Sequence, residues 1–199
     1  MTDERPSFYY DLLSVECYLV AERVSHVLAM VPVWRPVLAS ALGGVEDPLD
    51  AGRAEVERRA AECGLPELRW PDPWPTDARP AMRAAIFAKQ AGRAVAFSLA
   101  AFRQAFAAGR DLAVIDNVLI AAAACELHPR AVLKAIESES VREALDSATN
   151  DAAALGVERV PAVVAGGEVF SGPNGPERAA HAIGHAGAQS TGKRSGSIQ

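Results

Sequence analysis

The apolar pattern of this chain changes period at Ser14. Phe8-Tyr9-Tyr10-Asp11-Leu12-Leu13 is a near-continuous apolar run, the mark of a buried strand. From Cys17 the apolar residues follow helical spacing, and the predicted helix runs from about Val15 to Leu28. A second short strand, Val31-Pro32-Val33-Trp34, ends at Arg35-Pro36. A strand, a helix and a strand within so few residues commit the start of the chain to a β-α-β unit, which favours a parallel pair. Ser14 falls at the N-cap of the helix. There, a side-chain oxygen and the unpaired amides of the first turn face whatever lies in front of them.

The pattern changes again after Pro36, and from about Val37 to Asn150 it is almost wholly helical. Ala51 to Cys63 reads as a charged helix closed by Gly64 and Pro66. Trp70-Pro71-Asp72-Pro73-Trp74-Pro75 is a loop, because so many prolines suit neither helix nor central strand. Asp77 can cap the next helix, with Pro80 in its first turn. Val95, Leu99, Phe102 and Phe106 keep helical spacing up to Gly109, and Asp111 opens a helix through Leu127. Arg130 to Glu137 and Ser140 to Leu155 follow. Strand character returns at Val160 to Ala165 and Glu168-Val169-Phe170, joined by Gly166-Gly167 as a hairpin turn. Glu177 to Ile183 predicts a short final helix.

Joining the β-α-β unit to the hairpin gives an α/β protein with a four-stranded mixed sheet and an all-helical insertion. The expected division is residues 1–36 and 152–185 for the sheet domain and 37–151 for the insertion. A polar Gly/Ser-rich tail over 186–199 is expected to be disordered.

The charge balance narrows the partners. The formal net charge is −5, and the one basic pair outside the helices is Lys193-Arg194. That argues against nucleic acid or an anionic membrane. The charged start Met1-Thr2-Asp3-Glu4 lacks the apolar core of a secretory signal, and no segment has the length of a membrane span. Cys17, Cys63 and Cys125 are odd in number and far apart, so they form no disulfide framework. The expected location is a reducing cytoplasm.

Several motifs together resemble a known family. They are Phe8-Tyr9-Tyr10-Asp11-Leu12-Leu13-Ser14, Trp34-Arg35-Pro36-Val37-Leu38, Ala81-Met82-Arg83-Ala84-Ala85, Gly156-Val157-Glu158-Arg159-Val160-Pro161 and Val169-Phe170-Ser171-Gly172. In order and spacing the chain resembles the DsbA-like branch of the thioredoxin superfamily. Within it, the closest resemblance is to the 2-hydroxychromene-2-carboxylate isomerases and kappa-class glutathione transferases. The resemblance implies a thioredoxin-like fold with a large helical insertion. It implies that Ser14 hydrogen-bonds the sulfur of bound glutathione, or of an analogous low-molecular-weight thiol, and favours its thiolate. It further implies that Val160, before a cis Pro161, pairs its backbone with the cysteinyl unit. The turn Gly172-Pro173-Asn174 would lie near the γ-glutamyl end. Trp34, Asp77 and Cys17 join the candidate thiol- and substrate-binding residues. The implied substrate is a small conjugated, aromatic-derived molecule, and relatives of this kind are commonly homodimers.

The residue chemistry agrees. Bringing a thiol from a pKa of about 8.5 to about 7 takes roughly 2 kcal/mol of preference for the thiolate. A helix N-terminus offers roughly 0.3–1 kcal/mol. A hydroxyl donor to an anion offers roughly 1.5–3 kcal/mol. Ser14 at the start of a helix therefore suffices without a general base.

The chain also departs from the family pattern. Val15, Glu16 and Cys17 stand where the family has proline, an aromatic and a small residue. Asp77 stands where an asparagine is expected, and Pro173 and Gly175 replace polar residues. Glu16 suits the helix dipole but opposes a neighbouring thiolate. Redox relatives carry Cys-x-x-Cys with the attacking cysteine first, and here that position is Ser14. No disulfide can close across the motif. Two alternatives remain: a DsbA-like thiol protein acting through Cys17, and a non-catalytic binding protein on the same scaffold. His181 and His185 are four apart, a metal-ligand spacing, but lack a third ligand nearby and read as a solvated face, so no metal is expected. Trp70 and Trp74 either line a pocket or pin the proline-rich loop.

Overall fold

The computed structural model describes residues 5–43 and 50–192, the side chains of 50, 51 and 186–192 excepted. Strand β1 (Ser7–Tyr10) is wholly buried and lies inside a four-stranded sheet of order β2-β1-β3-β4. Strand β2 (Val33–Pro36) runs parallel to it, Phe8 opposite Trp34. Strand β3 (Ala162–Ala165) pairs antiparallel with β1 on the other side, Phe8 opposite Val163. Strand β4 (Glu168–Ser171) forms the second edge through the Gly166-Gly167 turn. Both turn glycines have positive φ, 59° and 84°, as a tight hairpin requires.

Helix α1 (Val15–Ala21) follows β1 and is shorter than the sequence predicts. The chain breaks at Glu22 and Arg23, then resumes as α2 (Val24–Val27). At the break Arg23 has non-helical backbone (φ −126°, ψ −12°), and its guanidinium bonds the Pro173 carbonyl and pairs with Glu177. The helical block comprises α3 (Asp50–Glu62), α4 (Arg79–Gln90), α5 (Ala94–Phe102), α6 (Ile115–Ala123), α7 (Pro129–Glu137) and α8 (Glu139–Ala154). Asp111 starts a turn and not a helix. Its carboxylate accepts the Ala113 amide and its carbonyl accepts Asn117 Nδ2, which delays α6 to Ile115.

The last helix, α9 (Gly175–Gly192), begins before Glu177 and continues through 186–192, where the sequence suggested a disordered tail. The rest of that tail, 193–199, lies outside the described residues. Gly175 is required at the start of α9, because a Cβ there would sit 2.3 Å from the Phe170 carbonyl oxygen.

One apolar cluster joins the sheet to the helical block. Phe8 stacks on Tyr10 and Tyr10 meets Phe102 of α5. The Tyr10 hydroxyl, fully buried, is matched by Ser98 Oγ at 2.6 Å. Tyr9 faces the opposite side, with Val37, Ala152, Val157 and Ala162. This alternation along β1 separates the two faces of the sheet.

Candidate functional site

The loop between β1 and α1 is built on Asp11. Its carboxylate accepts the amides of Leu13 and Ala39, each at 2.9 Å, and its carbonyl accepts the Ser14 amide at 3.1 Å. Ser14 is thereby placed at the N-cap, with extended backbone (φ −90°, ψ 114°). Its Oγ accepts the Cys17 amide at 3.1 Å. A hydroxyl used in this way still has its own hydrogen to donate. Ahead of Ser14 lies the Val160–Pro161 peptide bond, which is cis. Ser14, Val160 and Pro161 line an open cleft of about 1610 Å³.

The turn after β4 also lines the cleft. Gly172, with φ +88°, donates its amide to the Pro161 carbonyl at 2.7 Å. Its carbonyl accepts the Gly175 amide at 2.9 Å, and Arg23 Nη2 holds the Pro173 carbonyl at 2.5 Å. These bonds leave Asn174 exposed at the cleft. Glu55 and Val56 of α3 also line the cleft.

Glu16 also lines the cleft, but its charge is matched. Arg59 Nη1 of α3 sits 2.7 Å from Glu16 Oε1, both side chains being largely buried. One oxygen of the carboxylate next to Ser14 is therefore paired with α3, while Oε2 is buried without a hydrogen-bond partner among the described residues. Asp11 is different. Burial pushes its carboxyl up to about 6, against the two amide bonds that favour the anion.

Residues 7–184 match the DsbA-like thioredoxin domain. The chain belongs to the DsbA-like thioredoxin family. Among curated proteins, none matches it. Of solved structures, a 2-hydroxychromene-2-carboxylate isomerase superposes with a TM-score of 0.80 at 18% identity, over 94% of this chain and 97% of that one. A probable DsbA oxidoreductase from Streptomyces coelicolor gives 0.78 at 22%, over 92% and 90%. The cytosolic disulfide reductase DsbM from Pseudomonas aeruginosa, solved with GSH, gives 0.60 at 16%, over 92% and 98%. These likenesses establish the thioredoxin-like α/β fold with its helical insertion.

In this DsbA-like protein, Ser14, Val160, Pro161, Gly172 and Asn174 share one cleft. Three other candidates lie elsewhere. Cys17 is fully buried inside α1, and burial pushes its thiol well above the ordinary range, outweighing the opposing contacts with Ser14 and the Asp11 backbone. Trp34 is a core residue, edge-on to Phe8 and Tyr10, because parallel pairing puts it on the same face of the sheet as Phe8. Asp77 is clasped by Arg79 through both carboxylate oxygens and also accepts the Arg79 amide, but it stands one residue before the N-cap of α4, which is Ala78 and not the expected aspartate. That pairing holds its carboxyl below the usual range.

Trp70 and Trp74 pack on Phe106 and on each other, which pins the proline-rich loop to the π-helical segment Arg103–Ala107 that follows α5. The imidazoles of His181 and His185 meet at 3.0 Å on an exposed face. Among the described residues no cluster of three or more metal-ligand side chains occurs, and no helix is long and apolar enough to cross a membrane.

Two residues that shape the site, Asp11 and Arg59, are not ones the sequence singles out for function. A lone aspartate ending an apolar strand is a readable sign, since an acid so placed must be buried or paired. Arg59 is one of several arginines on a charged helix and carries no such sign.

Proposed function

We propose that this protein is a glutathione-dependent isomerase or transferase of the 2-hydroxychromene-2-carboxylate isomerase type, acting on a small conjugated substrate. The observation that carries the reading is Ser14 at the N-terminus of α1, facing Val160 and Pro161 across an open cleft. The donor set suits a thiol ligand. Ser14 and the N-terminus of α1 border the same cleft as Val160, which lies outside the β1–β3 ladder with its backbone available for pairing.

The bound thiol supplies a thiolate that adds to a conjugated double bond, permits rotation and leaves again. The chain's part is positional and electrostatic. Ser14 donates its hydroxyl hydrogen to the sulfur, and the α1 terminus adds a favourable field. Val160 aligns the thiol's backbone, and the Gly172–Asn174 turn receives its far end. Arg59 removes the penalty that Glu16 would otherwise impose. No residue of the chain changes redox state in this scheme. Two proteins of similar fold support it: an isomerase of this name, and a disulfide reductase solved with GSH.

Disulfide exchange through Cys17 is disfavoured by that residue's burial and by its raised pKa. Calorimetric titration with glutathione tests the proposal. Saturable binding that is lost in Ser14→Gly is the expected outcome. No binding at millimolar glutathione removes the reading.

A further inference from the structure

Asp11 is 3% exposed, yet no cation pairs with it among the described residues. A buried carboxylate in this state is unfavourable for folding. Its two oxygens do separate jobs. Oδ1 takes the Leu13 amide within the loop that carries Ser14, and Oδ2 takes the Ala39 amide in the turn after β2. The same residue's carbonyl holds the Ser14 amide. One side chain thus clamps the Ser14 loop to a segment far away in sequence. Of nearby titratable groups, Tyr10 on β1 and Cys17 on α1 feel its charge, Glu16 faces Cys17, and the Ala39–Ala41 turn contributes none.

We propose that Asp11 is a positioning residue, a buried carboxylate retained to hold Ser14 in register with the cleft although it weakens the fold. The positioning role rests on the reading of Ser14 as the thiol donor; the clamp itself does not. A neutral side chain of the same shape would relieve the burial. It would also turn an amide donor toward one of the two backbone N–H groups, breaking that bond. Function and stability are therefore expected to move in opposite directions, as they do at many active sites.

The test is Asp11→Asn, compared with the parent at a pH near 8, where the parent carboxyl is ionised. The expected result has three parts. The Tm is equal or higher. Amide hydrogen exchange at Leu13 or Ala39 accelerates about tenfold or more, while β1 amides are unchanged. Glutathione binding weakens about tenfold. Unchanged exchange at both amides overturns the clamp. A variant that fails to fold, or one in which all core amides accelerate as Tm falls, overturns the claim that the carboxylate weakens the fold. Normal glutathione affinity alongside faster exchange overturns the positioning role. If the parent itself binds no glutathione, the Ser14 reading falls, and exchange and Tm still decide the clamp.

Discussion

Arg59 Nη1 on α3 lies 2.7 Å from Glu16 Oε1 in the first turn of α1. The pair places a countercharge beside the one acid that departs from the family pattern next to Ser14. An uncompensated carboxylate in the first turn of α1 opposes a thiolate bound at that helix terminus. Arg59→Met should weaken thiol binding roughly 3- to 10-fold, in line with about 1 kcal/mol for a half-buried pair. Glu16→Gln added to Arg59→Met should restore binding. Calorimetric titration of the two variants decides this, and a double variant no better than the single one speaks against the compensation.

Under the proposed function Ser14 has two separable roles. As an N-cap it accepts the Cys17 amide, so Ser14→Ala should lower stability by about 1 kcal/mol. Ser14→Gly should lose only a few tenths of that. Both variants lack the hydroxyl donor, and both should lose roughly 1.5–3 kcal/mol of thiolate stabilisation, or about 10- to 150-fold in affinity. Denaturant melts separate the first effect from the second. Glutathione affinity that tracks stability, falling in the alanine variant alone, would reduce Ser14 to a helix cap.

The thiols should differ sharply in reactivity. Cys63 is exposed, whereas Cys17 and Cys125 are buried with thiols that burial pushes up. In the native protein, alkylation followed by peptide mapping should label Cys63 and leave Cys17 untouched, with the buried pair labelled after unfolding. Rapid native labelling of Cys17 would bring back the disulfide-exchange alternative.

Asp11 also sets a pH dependence. Folding raises its pKa from 3.8 to about 6, so on acidification the native protein takes up this proton before the unfolded chain does. Its contribution to stability therefore rises as pH falls through about 6 and is complete near the unfolded value. Integrated, the gain is roughly 2–3 kcal/mol, and it is absent above that range. Urea melts of the parent and Asp11→Asn across this window should show a difference that shrinks with falling pH. A constant difference between the two would mean that Asp11 does not titrate there.

Trp34 should matter to the fold and not to the ligand. Its indole Nε1 is buried without a partner among the described residues, so Trp34→Phe removes an unmatched donor while leaving some empty volume. Stability should fall by about 1–2 kcal/mol and glutathione affinity should not change. A selective loss of affinity would return Trp34 to the site.

Much of this architecture is legible along the chain. The shift of period at Ser14 places β1, the cap and α1, and Gly166-Gly167 places the hairpin turn. Both are short-range signals, carried by side-chain alternation and by backbone conformations that few residues tolerate. Legibility fails at Glu22–Arg23, where the helical pattern runs on but Arg23 turns to the Pro173 carbonyl and Glu177. It fails at α9 as well, whose polar composition hides a helix that continues to Gly192.

The sequence by itself determined the strand order of events: a β-α-β opening, a helical middle, a closing hairpin, and a serine where redox relatives carry cysteine. Local periodicity and capping chemistry are enough for that. Only the tertiary structure decided which residues meet. It brought Ser14 opposite Pro161, turned Glu16 onto Arg59, buried Cys17 and Trp34, and left Asp77 to Arg79. Those outcomes depend on charge pairing and desolvation between segments far apart in the chain, and neither exists until the chain has packed.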